Sequence, residues 1–390
     1  MAQGDKKNLS LQIMMLGGRR TGKTSVLASM QGCFNNVFGQ TDLTIATASG
    51  TTLDIIEEKR REMQDYLALA SKNKDFVPDS NPTQGDETYS FKVGFKGKMK
   101  DTIIFNFFDS PGEWLSSESE RIAEEVAKSD VLMIVLDTPY LMEEGGQYND
   151  RRNCCYRITE LVKNNLDLSK PDVPKMVLFV PLKCERYYDS GEMDKVREAI
   201  TGEDCYGDLI NYLSNGQAGC EVAITPILTI GTAVFSRFQT GEDGEYIMSP
   251  GRGGYPLKPL YYFTQKAIQA GERAGRGQKY AAAPKYCEQP ILYTLFYALT
   301  MAAVAAKDKN NKGIGWETIL GAGIAGLFGG WIVALIGGAA YELLKTRFTG
   351  FASEEDFLKQ AATVRNSMVL NNPQEGFALL SDPLKFRGGQ

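Results

Sequence analysis

Apolar runs and amphipathic stretches alternate along much of the chain. Five runs are apolar enough to be buried strands: 9–17, 102–108, 131–137, 175–182 and 221–230. A run that is apolar at nearly every position indicates a strand buried on both faces, as in a parallel sheet. Residues 88–95 alternate apolar and polar positions instead, so they predict the first half of a β-hairpin that leads into 102–108.

Helical periodicity occupies the intervals between these runs. It predicts helices over 51–73, 117–130, 154–166, 193–200 and 256–275. Strands that alternate with helices in this way predict an α/β fold, with a mostly parallel sheet and helices on both faces.

The domain organisation follows from where this alternation stops. We place the first domain at 8–275 and a linker at 276–288. Residues 289–341 then form a predicted helical hydrophobic hairpin, and residues 342–390 form a polar, partly amphipathic tail.

Two charge-free stretches, 289–306 and 318–341, define the predicted hairpin. As a helix the second would be about 36 Å long, against a hydrocarbon core of about 30 Å. Gly326 and Gly330 form a G-x-x-x-G pair that would allow close helix packing. The hairpin is therefore a candidate for membrane insertion. Lysines in the intervening turn count against a double crossing, so a single span, a shallow hairpin, or a helical pair packed on the sheet are the alternatives.

The amino-acid composition excludes several kinds of catalytic and binding site. The 390 residues carry a net charge of −5, which gives no indication of a nucleic-acid partner. Histidine is absent, which excludes catalytic triads that contain histidine and metal sites that use histidine ligands. The 7 cysteines are scattered without C-x-x-C spacing, so we expect reduced thiols in a cytosolic setting and no zinc site. The polar N-terminus indicates no signal peptide.

A glycine-rich loop follows the first strand and precedes a helix. Its residues fit the spacing G-x-x-x-x-G-K-[ST] in the required setting. Glycines let backbone amides turn toward phosphate oxygens, and the helix N-terminus adds a favourable dipole. The motif predicts a phosphate site, with Lys23 on the β- and γ-phosphates and the Thr24 hydroxyl on Mg²⁺. The predicted contact residues are Gly17, Gly18, Arg19, Thr21, Gly22, Lys23, Thr24 and Ser25.

A second motif, DSPGE, follows the strand over 102–108. An acid at the end of such a strand is a typical second partner of Mg²⁺, acting through water, and Asp109 holds that position. Gly112 can then offer its backbone amide to the γ-phosphate. After a phosphate loop at this distance, the D-x-x-G pattern supports the same nucleotide site.

The stretch NPTQGDETYSFKV, a strand and then DSPGE resembles the switch I–hairpin–switch II region of Ras-like GTPases of the TRAFAC class. The resemblance implies a P-loop NTPase fold of the Ras-like G-domain type. It also implies that Thr83 is the switch I threonine, which closes on Mg²⁺ and the γ-phosphate. Residues 31–80 would then be an insertion before switch I.

The same family reads guanine with an N/T-K-x-D motif after a strand. Lys183 and Glu185 occupy the lysine and acid positions, with Leu182 in place of Asn or Thr. Thr229 lies where the family's last base-contacting loop is expected. The resemblance implies GTP and GDP as ligands, and the imperfect motif leaves an ATP-using P-loop enzyme as an alternative.

Two residues are candidates for hydrolysis besides Thr83. Glu113 stands where the family often has a water-orienting glutamine, and a carboxylate there would be repelled by the γ-phosphate unless an arginine or a proton compensates. Arg20, just before T-G-K-T, resembles the arginine of guanylate-binding proteins and atlastins. That resemblance implies an arginine finger in cis and a homodimer through the G domain. A solvated arginine at the pocket mouth is the alternative.

These observations predict a membrane-associated GTPase that binds and hydrolyses GTP with Mg²⁺ as a switch or assembly protein. Its expected partners are guanine nucleotide, membrane lipid, a second copy and an effector protein, without nucleic acid. The expected location is the cytoplasmic face of a membrane, with the cytosol as the alternative. A soluble nucleotide-binding scaffold that hydrolyses little or nothing remains the competing interpretation.

Overall fold

The computed structural model describes ten stretches of the chain: 10–38, 43–70, 75–77, 87–96, 98–168, 175–215, 220–249, 252–274, 282–298 and 354–381. The strands within these stretches are β1 (Ser10–Leu16), β2 (Leu43–Thr47), β3 (Glu87–Phe95), β4 (Lys98–Asp109), β5 (Val131–Asp137), β6 (Lys175–Leu182), β7 (Cys220–Ile224), β8 (Ala233–Ser249), β9 (Arg252–Phe263) and β10 (Ala378–Ser381).

The helices are mostly short and connect consecutive strands. They are α1 (Lys23–Phe38), α2 (Gly50–Ala70), α3 (Trp114–Ser117), α4 (Ser119–Lys128), α5 (Thr138–Met142), α6 (Asn149–Asn153), α7 (Cys155–Asn165), α8 (Glu185–Ser190), α9 (Met193–Thr201), α10 (Gly207–Asn215), α11 (Gln265–Ala274) and α12 (Glu354–Asn366). Residues 289–298 are also helical.

The main sheet has eight strands in the order β10-β7-β6-β5-β1-β4-β3-β2. The five central strands are parallel, whereas β2, β3 and β10 pair antiparallel at the two sides of the sheet. This mostly parallel sheet with helices confirms the predicted α/β class. Because parallel strands end at the same edge, the loops after β1, β4, β5 and β6 meet there, which is where open α/β sheets bind ligands.

Both faces of the sheet are covered. Ile13 and Met15 point into one buried cluster, and Met14 and Leu16 point into the other. This alternation is what a strand buried on both faces requires. Helix α1 packs on the first face, and α4, α7, α9 and α10 pack on the second.

One predicted helix is wrong in its first half. Residues Arg252–Phe263 form β9, which pairs antiparallel with β8 in a separate two-stranded sheet, and α11 begins only at Gln265. Pro256 and Pro259 lie in β9, and proline is poorly tolerated inside a helix. The predicted strand over 221–230 also ends early, at Ile224, two residues before Pro226.

The described C-terminal residues pack on the main sheet. Ile291, Leu292 and Leu295 lie in the same buried cluster as β1, together with Val364 and Met368. Strand β10 then pairs with β7 at the edge of the sheet.

The longer charge-free run, 318–341, lies outside the described residues, so membrane insertion there stays a prediction. Among the helices that the structure describes, none is long and apolar enough to cross a membrane.

Candidate functional site

The loop from Gly17 to Gly22 connects β1 to α1 at the carboxyl edge of the sheet. Gly22 has a φ of +109°, a region that side chains other than glycine rarely adopt. A Cβ atom added to Gly18 would lie 1.9 Å from the carbonyl oxygen of Arg152, so only glycine fits there. The loop conformation therefore depends on its glycines.

The Lys23 side chain is buried beneath this loop. Its Nζ donates hydrogen bonds to the carbonyl oxygens of Gly17 (3.0 Å) and Gly18 (3.5 Å). Burial lowers the pKa of Lys23, while the carboxylates of Asp109 and Glu113 oppose that shift. The ammonium is thus held inside the loop with negative charge close by.

Thr24 and Asp109 meet next to this lysine. The Thr24 hydroxyl donates a hydrogen bond of 2.6 Å to Oδ2 of Asp109, the last residue of β4. Asp109 is fully buried, and burial raises its pKa although Lys23 and Thr24 oppose the shift. Its Oδ1 has no hydrogen-bond partner within the described residues. A buried carboxylate oxygen without a partner, beside a hydroxyl, is a donor set that fits Mg²⁺.

The DSPGE segment packs directly on the phosphate loop. A Cβ added to Gly112 would lie 2.2 Å from the backbone nitrogen of Arg19, so the two backbones are in close contact. The next residue, Glu113, forms an ion pair with Arg19, with 2.8 Å between Oε1 and Nε. The structure therefore places an arginine against the carboxylate that the resemblance predicts near the γ-phosphate.

The predicted base-reading residues lie at the same edge of the sheet. Lys183, with a left-handed φ of +59°, pairs with the Asp137 carboxylate and donates to the carbonyl oxygen of Arg20 at 3.2 Å. Glu185 begins α8, is 4% exposed, and accepts a hydrogen bond of 2.9 Å from the amide of Gly231.

Burial dominates the electrostatics of Glu185. It raises the pKa of this carboxyl to about 7, against the opposing effects of the Gly231 amide and of Lys183. Asp189 raises the pKa slightly further. Thr229, two residues before Gly231, is also buried. The structure thus brings Lys183, Glu185 and the loop that contains Thr229 together.

Several residues that were not predicted from the sequence hold the phosphate loop and the end of β5 in place through hydrogen bonds. Arg152 donates to the carbonyl oxygen of Arg19 (2.8 Å) and to the Tyr140 hydroxyl (2.6 Å), and its guanidinium lies 4.2 Å from the centre of that ring. Asn153 accepts from the backbone amide of Asp137 at 2.7 Å.

Of these, the sequence offered a signal only for Asp137, because it ends a buried strand as Asp109 does. Thr83 lies outside the described residues, so its switch I role stays a prediction. Arg20 adopts a left-handed φ of +58° in the loop, and its role as an arginine finger also stays a prediction.

A family model matches the part of the chain that carries this site. Residues 12–200 match the model described as DO-GTPase2, Double-GTPase 2. The matched range begins in β1 and ends in α9, so it contains the phosphate loop, the DSPGE segment and the Lys183–Glu185 pair. The match spans a little under half of the chain, and together with the α/β fold it supports a P-loop GTPase class for this region. It leaves the resemblance of the loop to guanylate-binding proteins and atlastins untested.

Solved structures give more distant likenesses. The Saccharomyces cerevisiae Ski7 GTPase-like domain, bound to GDP and inorganic phosphate, is 9% identical with a TM-score of 0.33, covering 66% of this chain and 71% of that chain. The Methanosarcina barkeri Roco2 RocCORdC, bound to GDP, is 13% identical with a TM-score of 0.23, covering 70% and 78%. Both TM-scores are too low to support an argument. Comparison with curated proteins gave no match.

Proposed function

We propose that this protein binds GTP and GDP with Mg²⁺ and hydrolyses GTP, so that the nucleotide state acts as a switch. The observation that carries the proposal is the arrangement of Lys23, Thr24 and Asp109 under a glycine-dependent loop. The match of residues 12–200 to a GTPase family model supports the same class of ligand.

The phosphate chemistry follows from groups that are already in place. The Lys23 ammonium bonds loop carbonyls, and these acceptors can give way to the β- and γ-phosphate oxygens, which carry more negative charge. The loop amides and the N-terminus of α1 add positive potential. Thr24 and Asp109 would hold Mg²⁺, which neutralises phosphate charge when it is bound.

The metal assignment predicts a specific effect of Asp109→Asn. The isosteric amide can still accept the Thr24 hydrogen bond but lacks the negative charge that attracts Mg²⁺. We expect the Mg²⁺ concentration needed for half-maximal GTP binding to rise by about tenfold or more, since one charge-assisted contact is worth about 1.5–3 kcal/mol.

Fluorescent GTP binding titrated with Mg²⁺ measures this effect. Asp130→Asn is a matched control, because Asp130 lies just before β5, at the opposite end of that strand from Asp137, and accepts the Gln12 amide at 2.9 Å. The same Mg²⁺ dependence in both variants would remove Asp109 from the metal site.

Guanine recognition is the second part of the proposal. An ionised Glu185 carboxylate can accept two hydrogen bonds from the N–H groups on the guanine edge, and the Lys183 stem can cover the ring. Adenine presents a different donor and acceptor pattern on that edge, so an ATP-using enzyme would not need this carboxylate.

The raised pKa of Glu185 makes this recognition dependent on pH. The carboxyl must lose its proton before guanine can donate to both oxygens, so GDP affinity should fall by about tenfold per pH unit below about pH 7 and level off above it. Glu185→Gln should remove this dependence and reduce the preference for GDP over ADP.

Competition titrations measure how the affinities for GDP and ADP change between pH 5.5 and pH 8. These limits lie about one and a half units below and one unit above the pKa of Glu185. ADP is the internal control because its phosphates titrate as those of GDP do. Equal affinity for the two nucleotides with matching pH profiles would contradict guanine recognition by Glu185, and tighter binding of ADP would favour the adenine-nucleotide alternative.

A further inference from the structure

The loop after β7 pairs with residues 283–287, a segment from later in the chain that we call the clamp segment. Leu228 and Lys285 exchange two backbone hydrogen bonds, each of 2.9 Å. The Ala283 amide donates a third, of 2.8 Å, to the carbonyl oxygen of Ile230. Together these bonds form a short antiparallel bridge, so the backbone of the loop is held by the clamp segment.

The same contact reaches the residue that hydrogen-bonds Glu185. Gly231 has a left-handed φ of +71°, and a Cβ atom added to it would lie 1.9 Å from the carbonyl oxygen of Ala283. The Gly231 amide donates its hydrogen bond of 2.9 Å to Oε1 of Glu185. The clamp segment therefore lies directly against the backbone group that orients the Glu185 carboxylate.

A single carboxylate, that of Glu375, joins the clamp segment to α8. The Tyr286 hydroxyl donates to its Oε2 at 2.6 Å, and the Tyr188 hydroxyl, from α8, donates to its Oε1 at 2.9 Å. Lys285 donates to the Tyr188 hydroxyl and lies 3.6 Å from Oε1 of Glu375. Tyr286 adopts a left-handed φ of +62°, which is uncommon for a bulky residue and persists only where the surroundings enforce it.

Packing of the C-terminal residues does not require these polar contacts. Ile291, Leu292 and Val364 already attach that part of the chain to the buried cluster on the first face of the sheet. The pair between Lys285 and Glu375 is partly exposed, at 42% and 27%, and such pairs add little stability. Hydrogen bonds are directional, whereas apolar burial is not, so the polar contacts fix how the clamp segment meets the loop.

We propose that Tyr286 and Glu375 are positioning residues for guanine recognition, which hold the Gly231 amide against Glu185 through the clamp segment. This role rests on the proposed function. Because coupling between two sites is reciprocal, bound GDP should in turn stabilise the clamp segment on the loop. Affinity for the base is thereby linked to how the C-terminal residues sit on the main sheet.

Two variants of the full chain test this role. Y286F removes the hydroxyl that donates to Glu375 and keeps the ring. We expect GDP affinity to fall by about 5- to 20-fold, since part of one charge-assisted hydrogen bond is lost from the base site. ADP affinity should change by less than about twofold, because ADP is held mainly through its phosphates. E375A, which removes the acceptor of both tyrosine hydroxyls, should give a larger loss of the same kind.

Y293F is the matched control for Y286F. The Tyr293 hydroxyl donates at 2.9 Å to the carbonyl oxygen of Val369, so this variant also removes one hydroxyl that bonds the C-terminal residues. We expect it to lower the unfolding temperature as Y286F does while leaving the ratio of GDP to ADP affinity unchanged. Competition titration measures the ratio, and thermal unfolding checks the fold of each variant.

Two further measurements separate positioning from general stabilisation. In an E185Q background, Y286F should change GDP affinity by less than about twofold, because the clamp segment acts through that carboxylate. Hydrogen exchange should show the Lys285 amide, which bonds Leu228, exchanging more slowly when GDP is bound, and Y286F should reduce this protection.

Three outcomes would overturn these assignments. Equal losses of GDP and ADP affinity in Y286F would make the contacts merely structural, and unchanged GDP affinity in Y286F and folded E375A would remove them from the base site. A wild-type chain that binds GDP no more tightly than ADP would overturn the proposed guanine recognition itself. The wild-type ratio is measured before any variant, so this failure is distinguished from the first two.

Discussion

Lys23→Ala is expected to abolish tight nucleotide binding, with a loss of about 10²–10⁴ in affinity. Lys23 is buried and directs its ammonium into the loop, where it bonds the Gly17 and Gly18 carbonyl oxygens. Two charge-assisted hydrogen bonds to phosphate, at about 1.5–3 kcal/mol each, account for this magnitude. Because burial lowers the pKa of Lys23, the charge is costly without nucleotide, and the variant should still fold.

Isothermal titration with GDP and a slowly hydrolysed GTP analogue measures the loss, and circular dichroism checks the fold. Lys128→Ala is the matched control, because Lys128 is an exposed lysine that pairs only with Glu124 and Glu125 among the described residues. A folded Lys23→Ala protein that binds GTP within about threefold of the wild type would place the phosphates elsewhere than in this loop.

Gly18→Ala is expected to disrupt the phosphate loop by steric contact alone. Its Cβ would lie 1.9 Å from the Arg152 carbonyl oxygen and 3.0 Å from the carbonyl carbon, and backbone atoms cannot rotate away as a side chain could. Either the loop or α6 must move. Overpacking of this kind costs about 1–3 kcal/mol of unfolding free energy. We expect nucleotide affinity to fall by about 100-fold or more, because the displaced loop amides point away from the phosphates.

Gly50→Ala provides the comparison within the same chain. Gly50 begins α2, and a Cβ there would meet nothing within 4 Å. Thermal unfolding and GDP titration should leave this variant close to the wild type, or slightly more stable, since alanine favours helix over glycine. Similar behaviour of the two alanine variants would show that the contact between Gly18 and Arg152 does not restrict the loop.

Local patterns in the sequence were enough to predict the central strands of the sheet and the residues of the phosphate loop. The strands β1, β4, β5 and β6 could be predicted because each contains a short apolar run that is visible from the residues themselves. Lys23 and Thr24 could be predicted as phosphate-site residues because phosphate binding requires a fixed spacing within one loop. Asp109 followed from its place at the end of a strand.

The β8–β9 sheet could not be predicted in this way. A strand in a two-stranded sheet is defined by its partner, and the run over 256–263 was predicted as helix because no feature of the sequence indicated its pairing with β8. The same holds for β10, which becomes a strand by pairing with β7.

The electrostatic character of the site was also decided by the tertiary structure. Arg19 and Glu113 are far apart in sequence, and only the contact between Gly112 and the loop brings them within 2.8 Å. Glu185 has a raised pKa because the packing of α8 and of the loop at Gly231 excludes water from it. A sequence specifies which groups can ionise or bind. Distances and burial, which set how strongly those groups interact, arise only when segments remote in the chain pack together.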